Sequence, residues 1–111
     1  MFNVVYAIDA REGLCRLPDS SVDLIVTSPP YKEAGGYRDA LLYNVARHCY
    51  RVSKVNSLCF VNFGHLAHYK SRPFEVAMMF QDAGYQWIDT ITWVKTQFSP
   101  IQGEKRLNNV T

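Results

Sequence analysis

The feature that most constrains the fold of this chain is an apolar segment that ends in two consecutive prolines, Asp23 to Tyr31. The residues from Leu24 to Thr27 are apolar or β-branched, which predicts a short buried strand. Pro29 and Pro30 end that strand, because proline has a fixed φ and no backbone N–H for a ladder. A stiff turn therefore follows at the carboxyl end of the strand, which is the edge where ligands bind in open α/β sheets.

The turn carries a hydroxyl, a carbonyl and an aromatic ring, a combination that suits a flat substrate with an exocyclic amine. Ser28 Oγ and the Pro29 carbonyl are acceptors for the two amine hydrogens, and the ring of Tyr31 offers a stacking face. The alternative interpretation is a turn that caps a core strand, with Tyr31 as a packing residue. A bare Pro-Pro-Tyr sequence favours that alternative, whereas the preceding strand favours the functional interpretation.

The sequence Asp-Leu-Ile-Val-Thr-Ser-Pro-Pro-Tyr resembles the catalytic motif of the amino-methylating DNA methyltransferases, (Asp/Asn/Ser)-Pro-Pro-(Tyr/Phe/Trp). These enzymes transfer a methyl group from S-adenosylmethionine to N4 of cytosine or N6 of adenine, as in the methylation of restriction-modification systems. The resemblance implies a catalytic site formed by Ser28, Pro29, Pro30 and Tyr31, with S-adenosylmethionine as cofactor and DNA as partner. Serine at the first motif position is more frequent among N4-cytosine enzymes, so the resemblance favours cytosine, with N6-adenine as the alternative.

The resemblance also implies the fold class: α/β, a partial Rossmann-like methyltransferase domain over 1–111 with a mostly parallel sheet and flanking helices. The family holds its cofactor with a glycine-rich turn, yet no Gly-x-Gly occurs in this sequence. In one circularly permuted group the catalytic motif comes first and the cofactor glycines come near the C-terminus. We therefore expect the glycine turn and the DNA-recognition segment after residue 111, in the remainder of the same polypeptide or in a complementary subunit.

An acidic residue follows an earlier apolar run. Val4 to Ile8 is β-branched and aromatic, which predicts a buried strand, with Asp9 and Ala10 after it. Asp9 is a helix N-cap or, as the resemblance implies, contacts S-adenosylmethionine together with Ala10 and Ser28; one carboxylate can serve both roles. Because the family places two cofactor-binding strands between this strand and the catalytic one, we expect either direct pairing of the two or a second chain that supplies the missing strands.

Hydrophobic periodicity predicts the remaining elements. Apolar residues at spacings of three and four indicate helices, and Gly84 is the expected helix stop. Asn56 is suited to a left-handed turn before the second apolar strand, and the glycine pair at 35–36 predicts a connector or a loop over the target base. The predicted elements are helical turns at 11–17, a helix at 38–52, a strand at 57–64 and a helix at 71–84.

The last third of the chain supplies candidate nucleic-acid contacts. Residues 87–95 alternate in polarity, which predicts a strand near a sheet edge. Trp93-x-Lys95 resembles a family motif near the flipped nucleotide, although a core aromatic is the favoured interpretation of the tryptophan. Lys105 and Arg106 suit phosphate contacts and equally suit an ordinary solvated loop.

Composition limits the function only broadly. A net charge of +2 is compatible with DNA binding without indicating it. An odd number of cysteines with no Cys-x-x-Cys pair indicates reduced thiols in the cytoplasm and argues against a zinc site. We expect no membrane span, because no apolar run approaches the required ~20 residues. Two other classes stay open: a non-catalytic nucleic-acid-binding subunit of this fold, and an α/β domain in which Ser-Pro-Pro-Tyr is accidental.

Overall fold

The computed structural model describes residues 3–29, 39–64 and 70–95, and they contain two strands and three helices. The elements are α1 (Ala10–Cys15), β1 (Val22–Thr27), α2 (Asp39–Val52), β2 (Ser53–Val61) and α3 (Arg72–Ala83). The predicted catalytic strand and all three predicted helical segments are confirmed to within a few residues. The predicted loop at 32–36 lies outside the described residues.

The two strands form a parallel pair joined by α2, which is a βαβ unit. Their register places Leu24 opposite Leu58 and Thr27 opposite Val61. The start of β2 was predicted at Ser57, whereas the ladder begins earlier because Ser53 pairs with Val22 across an irregularity in the register. Asn56 has a φ of 67° within that irregular part, so its predicted left-handed conformation is confirmed.

The helices cover one face of this sheet. Their core cluster consists of Leu42 and Ala46 on α2 with Val76 and Phe80 on α3. The sheet side of the cluster contains residues of β2 and the segment after it, among them Cys59, Val61 and Phe63. Most of the predicted apolar face of α2 is buried, namely Leu42, Val45, Cys49 and Val52. Burial of these side chains drives the docking of both helices onto the sheet.

The opposite face of the sheet is apolar and exposed. Side chains alternate between the two faces of a strand. In β1 and β2, the residues that alternate with the half-buried positions therefore point away from the helices. They form what we call the open face: Leu24, Val26, Leu58 and Phe60, with exposed fractions of 54%, 70%, 47% and 45%. An α/β sheet of this kind normally has both faces covered, so the open face is a surface suited to a further protein element.

Gly84 ends α3, as predicted, and allows a close contact with α2. Its φ is 132°, and a Cβ atom at this position would lie 2.6 Å from the ring of Tyr50. The next residue, Tyr85, places its ring 5.2 Å from that of Tyr50 in an edge-on arrangement. The Tyr85 hydroxyl hydrogen-bonds to Ser53 Oγ at 2.6 Å, which fixes α3 to the amino end of β2. Burial raises the pKa of the Tyr85 phenol.

Two predicted strands are wrong. Neither Val4–Ile8 nor Trp87–Lys95 belongs to a strand, and both carry exposed side chains such as Val5 at 97% and Ile88 at 74%. A strand exists only through hydrogen bonds to a neighbour, and the described sheet contains β1 and β2 alone. Of the two expected arrangements, direct pairing of residues 4–8 with the catalytic strand is therefore wrong, and a second chain that supplies the missing strands stays a prediction. Among the described residues, no helix has the length and apolarity that a membrane span requires.

Candidate functional site

The site begins where β1 ends. Ser28 is exposed directly after the strand, and Pro29 behind it is buried. Pro29 therefore anchors the turn in the protein while the Ser28 hydroxyl faces solvent at the carboxyl edge of the sheet. The structure supports this position of the two residues, and their catalytic role stays a prediction. Pro30 and Tyr31 lie outside the described residues.

A residue that sequence reasoning missed, Asn62, lies beside Ser28. The Asn62 backbone N–H donates to the Thr27 carbonyl at 2.8 Å, which continues the parallel pairing past the end of β2. The Asn62 side-chain amide donates to Ser28 Oγ at 3.4 Å. A signal in the sequence could have found it, because Asn62 is the polar residue that follows the apolar run ending in Val61. Carboxyl ends of parallel strands share one edge, so such a residue is a site candidate.

Asp9 caps α1, which confirms one of its two predicted roles. Its carboxylate accepts from the Arg11 backbone N–H at 2.9 Å and from Arg11 Nε and Nη2 at 3.0 and 2.8 Å. Hydrogen bonds from the Arg11 side chain lower the pKa of Asp9 to about 2. The carboxylate is therefore ionised at neutral pH and still has acceptor capacity, since two oxygens offer about four lone-pair sites. Ala10 is the exposed first residue of α1; the cofactor contacts of both residues stay a prediction.

Trp93 and Lys95 form an exposed aromatic–cation pair. Trp93 is 74% exposed, and Lys95 Nζ lies 5.5 Å from the centre of its ring. The favoured interpretation of Trp93 as a core aromatic is therefore wrong. An exposed indole with an adjacent ammonium group offers both a stacking face and a phosphate contact, so the predicted nucleic-acid role of the pair stays a prediction. Lys105 and Arg106 lie outside the described residues.

A buried arginine joins the helices that follow the two strands. Arg72, at the start of α3, is 3% exposed and forms ion pairs with Asp39 at the start of α2 and with Glu75 Oε1 at 3.5 Å. A positive charge at a helix N-terminus opposes the helix dipole, and the two carboxylates offset that cost. The cluster fixes the first turns of α2 and α3 against each other. Each of these helices follows a strand, so both begin near the carboxyl edge of the sheet.

Two of the three cysteines lie inside the fold: Cys49 is buried and Cys59 is partly buried, whereas Cys15 is exposed with its Sγ 3.6 Å from His48 Nε2. Burial raises the pKa of Cys49 to about 11 and also raises that of Cys59, so both thiols are protonated at neutral pH. Within residues 3–29, 39–64 and 70–95, no group of three or more His, Cys, Asp or Glu side chains could hold a metal ion. Where β1 ends, the polar groups include the neutral side chains of Ser28 and Asn62 and the Thr27 carbonyl. The charged Arg72, Asp39 and Glu75 lie at the starts of α2 and α3.

Comparison with known proteins identifies relatives of this chain. A family model described as DNA methylase, for N6 and N4 methyltransferases, matches residues 22–111. The Type II methyltransferase M.SfiI from Streptomyces fimbriatus is 28% identical over an alignment of 138 positions, which covers 93% of this chain. The alignment covers 32% of that relative, so the chain spans about a third of its length. No solved structure gives a significant match.

Proposed function

This chain belongs to the DNA methylase family of N6 and N4 methyltransferases, and from that premise we propose that it carries the catalytic motif of a DNA cytosine-N4 methyltransferase. The observation that carries the proposal is the exposed Ser28 beside buried Pro29 at the carboxyl end of β1. Serine at the first motif position favours cytosine over adenine, and N6-adenine methylation is the alternative within the same chemistry. Reduced cysteines and a DNA substrate agree with a cytoplasmic location.

The chemical difficulty is that the exocyclic amine of cytosine is a poor nucleophile, because its lone pair is delocalised into the ring. Hydrogen bonds from its two N–H groups to Ser28 Oγ and the Pro29 carbonyl draw the nitrogen towards a tetrahedral shape. That shape localises the lone pair and orients it for displacement, so catalysis comes mainly from positioning. The new C–N bond forms as the C–S bond of the methyl donor breaks, and the amine then loses one proton to solvent.

The target base must leave the DNA helix to reach Ser28. Extrusion of one base costs roughly a few kcal/mol. Stacking on the ring of Tyr31 offsets about 1–3 kcal/mol of that cost. Trp93 and Lys95, which are exposed and adjacent, are proposed to contact the same nucleotide or its phosphate, with Lys105 and Arg106 as further phosphate contacts.

S-adenosylmethionine supplies the methyl group when it is bound. The residues proposed to hold it are Asp9, Ala10 and Ser28, and the ionised, exposed carboxylate of Asp9 fits the polar groups of an adenosine. Arg11 keeps that carboxylate in one orientation through three hydrogen bonds. We expect the isolated chain to bind S-adenosylmethionine weakly, because it has no glycine-rich turn to hold the methionine part.

The open face supports the proposal that further protein completes this domain. Four apolar side chains in one patch on a small parallel sheet match the face that a second helical layer covers in α/β folds. The match to about a third of M.SfiI agrees with that view. We propose that the remainder of the same polypeptide, or a complementary subunit, covers the open face and supplies the cofactor-binding glycines.

The test is product analysis with the complete enzyme. Double-stranded DNA is incubated with S-adenosylmethionine, digested to nucleosides and analysed by mass spectrometry; N4-methyldeoxycytidine is expected. The Ser28→Ala variant should lose most of its kcat and a smaller part of its affinity for S-adenosylmethionine, whereas the control Ser57→Ala on β2 should retain both. N6-methyldeoxyadenosine as the product would replace cytosine with adenine, and full activity of Ser28→Ala would remove this site from catalysis.

A second candidate function is a non-catalytic DNA-binding subunit. The exposed Trp93–Lys95 pair serves that function as well as it serves an enzyme. Binding of DNA by the complete protein with no methylated base in the nucleoside analysis would favour the subunit, and the Trp93→Ala variant should then bind DNA more weakly.

A further inference from the structure

Asn62 is held at the carboxyl edge by its own backbone. Its N–H donates to the Thr27 carbonyl at 2.8 Å, a bond that any residue except proline could make at this position. The bond fixes the Asn62 Cα next to the end of β1, one step from Ser28. The backbone hydrogen bond therefore determines where the Asn62 side chain lies, and the side-chain amide determines which hydrogen bonds it can form there.

The amide of Asn62 restrains a hydroxyl that would otherwise rotate. An exposed serine side chain can occupy three staggered rotamers, which direct Oγ to three different positions. The Asn62 Nδ2–H group donates to Ser28 Oγ at 3.4 Å, which favours the rotamer that faces β2. A hydroxyl oxygen has two acceptor lone pairs, so one remains for an N–H of the base amine while the Pro29 carbonyl accepts the other.

From this arrangement we infer that Asn62 is a positioning residue for methyl transfer, acting through Ser28. The inference rests on the proposed function and adds to it the residue that orients its catalytic hydroxyl. A neutral donor suits this position, because the base amine gains positive charge as the methyl group is transferred. A lysine ammonium here would repel that charge, whereas a carboxylate has no N–H to donate to Ser28 Oγ.

A purely structural role predicts different behaviour. The Asn62 side chain is exposed and its backbone bond survives replacement of the side chain, so loss of the amide should leave the fold intact. A positioning role predicts instead a fall in the rate of methyl transfer that vanishes once Ser28 Oγ is gone. A double-mutant cycle separates the two, since residues that act through one contact are not additive.

The experiment measures single-turnover methyl transfer by the complete enzyme, with enzyme in excess so that slow variants stay measurable. Asn62→Ala should lower the rate roughly two- to fivefold, the lower part of the range for a single neutral hydrogen bond, because this bond is long at 3.4 Å. Asn62→Leu, which keeps the size of the side chain without its N–H groups, should lose as much. Neither change should alter the melting temperature or the affinity for S-adenosylmethionine, and Asn44→Ala, an exposed amide on α2, serves as the control.

In the Ser28→Ala background, Asn62→Ala should cause no further loss. The inference would be overturned if Asn62→Ala transferred methyl groups at the wild-type rate or if Asn62→Leu kept full activity. It would also be overturned if Asn62→Ala lowered the rate in the Ser28→Ala background by as much as it does in wild type. A rate loss that only follows the unfolded fraction would overturn it as well. A wild-type enzyme that methylates no base would overturn the proposed function and this inference together, whereas active wild type with unaffected Asn62 variants would overturn this inference alone.

Discussion

A pair of matched substitutions on the two faces of the sheet tests whether the open face is covered in the working enzyme. Val26 belongs to the open face and is 70% exposed in this chain, whereas Val61 packs against the helical core on the other face. Complete burial of a valine side chain stabilises a protein by roughly 2 kcal/mol. Covering the exposed 70% of Val26 should therefore contribute about 1.4 kcal/mol.

Threonine replaces valine at nearly the same volume and keeps the preference for strands, but it adds a hydroxyl. In the complete enzyme, Val26→Thr should lower the free energy of unfolding by about 1–2 kcal/mol, close to the effect of Val61→Thr. The assay is urea unfolding followed by circular dichroism, with midpoints and slopes compared between the two variants. If Val26→Thr changes the free energy of unfolding by less than about 0.5 kcal/mol, as substitutions at exposed positions do, the open face is exposed to water. The proposal that further protein covers the open face would then be wrong.

The remaining predictions concern three other positions. Gly84→Ala should destabilise the chain by more than about 1 kcal/mol, because the added Cβ meets the Tyr50 ring at a φ of 132°; thermal unfolding measures this, and a smaller loss from Gly84→Ala in a Tyr50→Ala background than in wild type would verify the clash, the backbone strain remaining in both. Tyr31→Phe should keep nearly full methyl transfer and Tyr31→Ala should lose much of it, since the ring and not the hydroxyl stacks; equal damage from both would contradict stacking. Burial raises the pKa of Cys49 from 9.0 to about 11, so the thiol ionises more easily in the unfolded chain than in the folded protein. The stability that the buried thiol contributes is therefore fully present below pH 9 and is lost as the pH rises towards 11. The urea midpoint should therefore fall less between pH 8 and pH 10.5 in Cys49→Ala than in wild type. An equal fall in both proteins would show that ionisation of the buried Cys49 thiol does not cause the loss of stability at high pH.

The features that were correctly predicted are those that short stretches of sequence determine. Two prolines end β1 wherever the strand lies, and Gly84 ends α3 because its positive φ disfavours any other residue. Asn56 adopts the left-handed conformation for a similar local reason. The apolar face of α2 follows from a spacing of three and four residues, which needs no knowledge of the partner.

The features that were missed depend on what lies next to them. Residues 4–8 and 87–95 have the composition of strands, yet a strand needs a hydrogen-bonded neighbour, and the described sheet pairs β1 with β2 alone. The exposure of Trp93 has the same origin, because none of the described elements covers it. Asn62 was missed because it becomes a site candidate only through its contact with Ser28, a residue 34 positions away in sequence.

The two ends of the sheet differ in how firmly their polar groups are already bonded. At the amino end, Arg51 donates to the carbonyls of Leu14 and Leu17 at 2.8 and 3.0 Å and pairs with Asp19 at 2.5 Å. At the carboxyl end, the exposed Ser28 hydroxyl has a single long contact of 3.4 Å from the Asn62 amide. A ligand at the amino end would have to break several short, charge-assisted bonds, which are the strongest type in proteins. Beside Ser28 a ligand only adds to one weak bond, and this difference favours ligand binding where β1 ends.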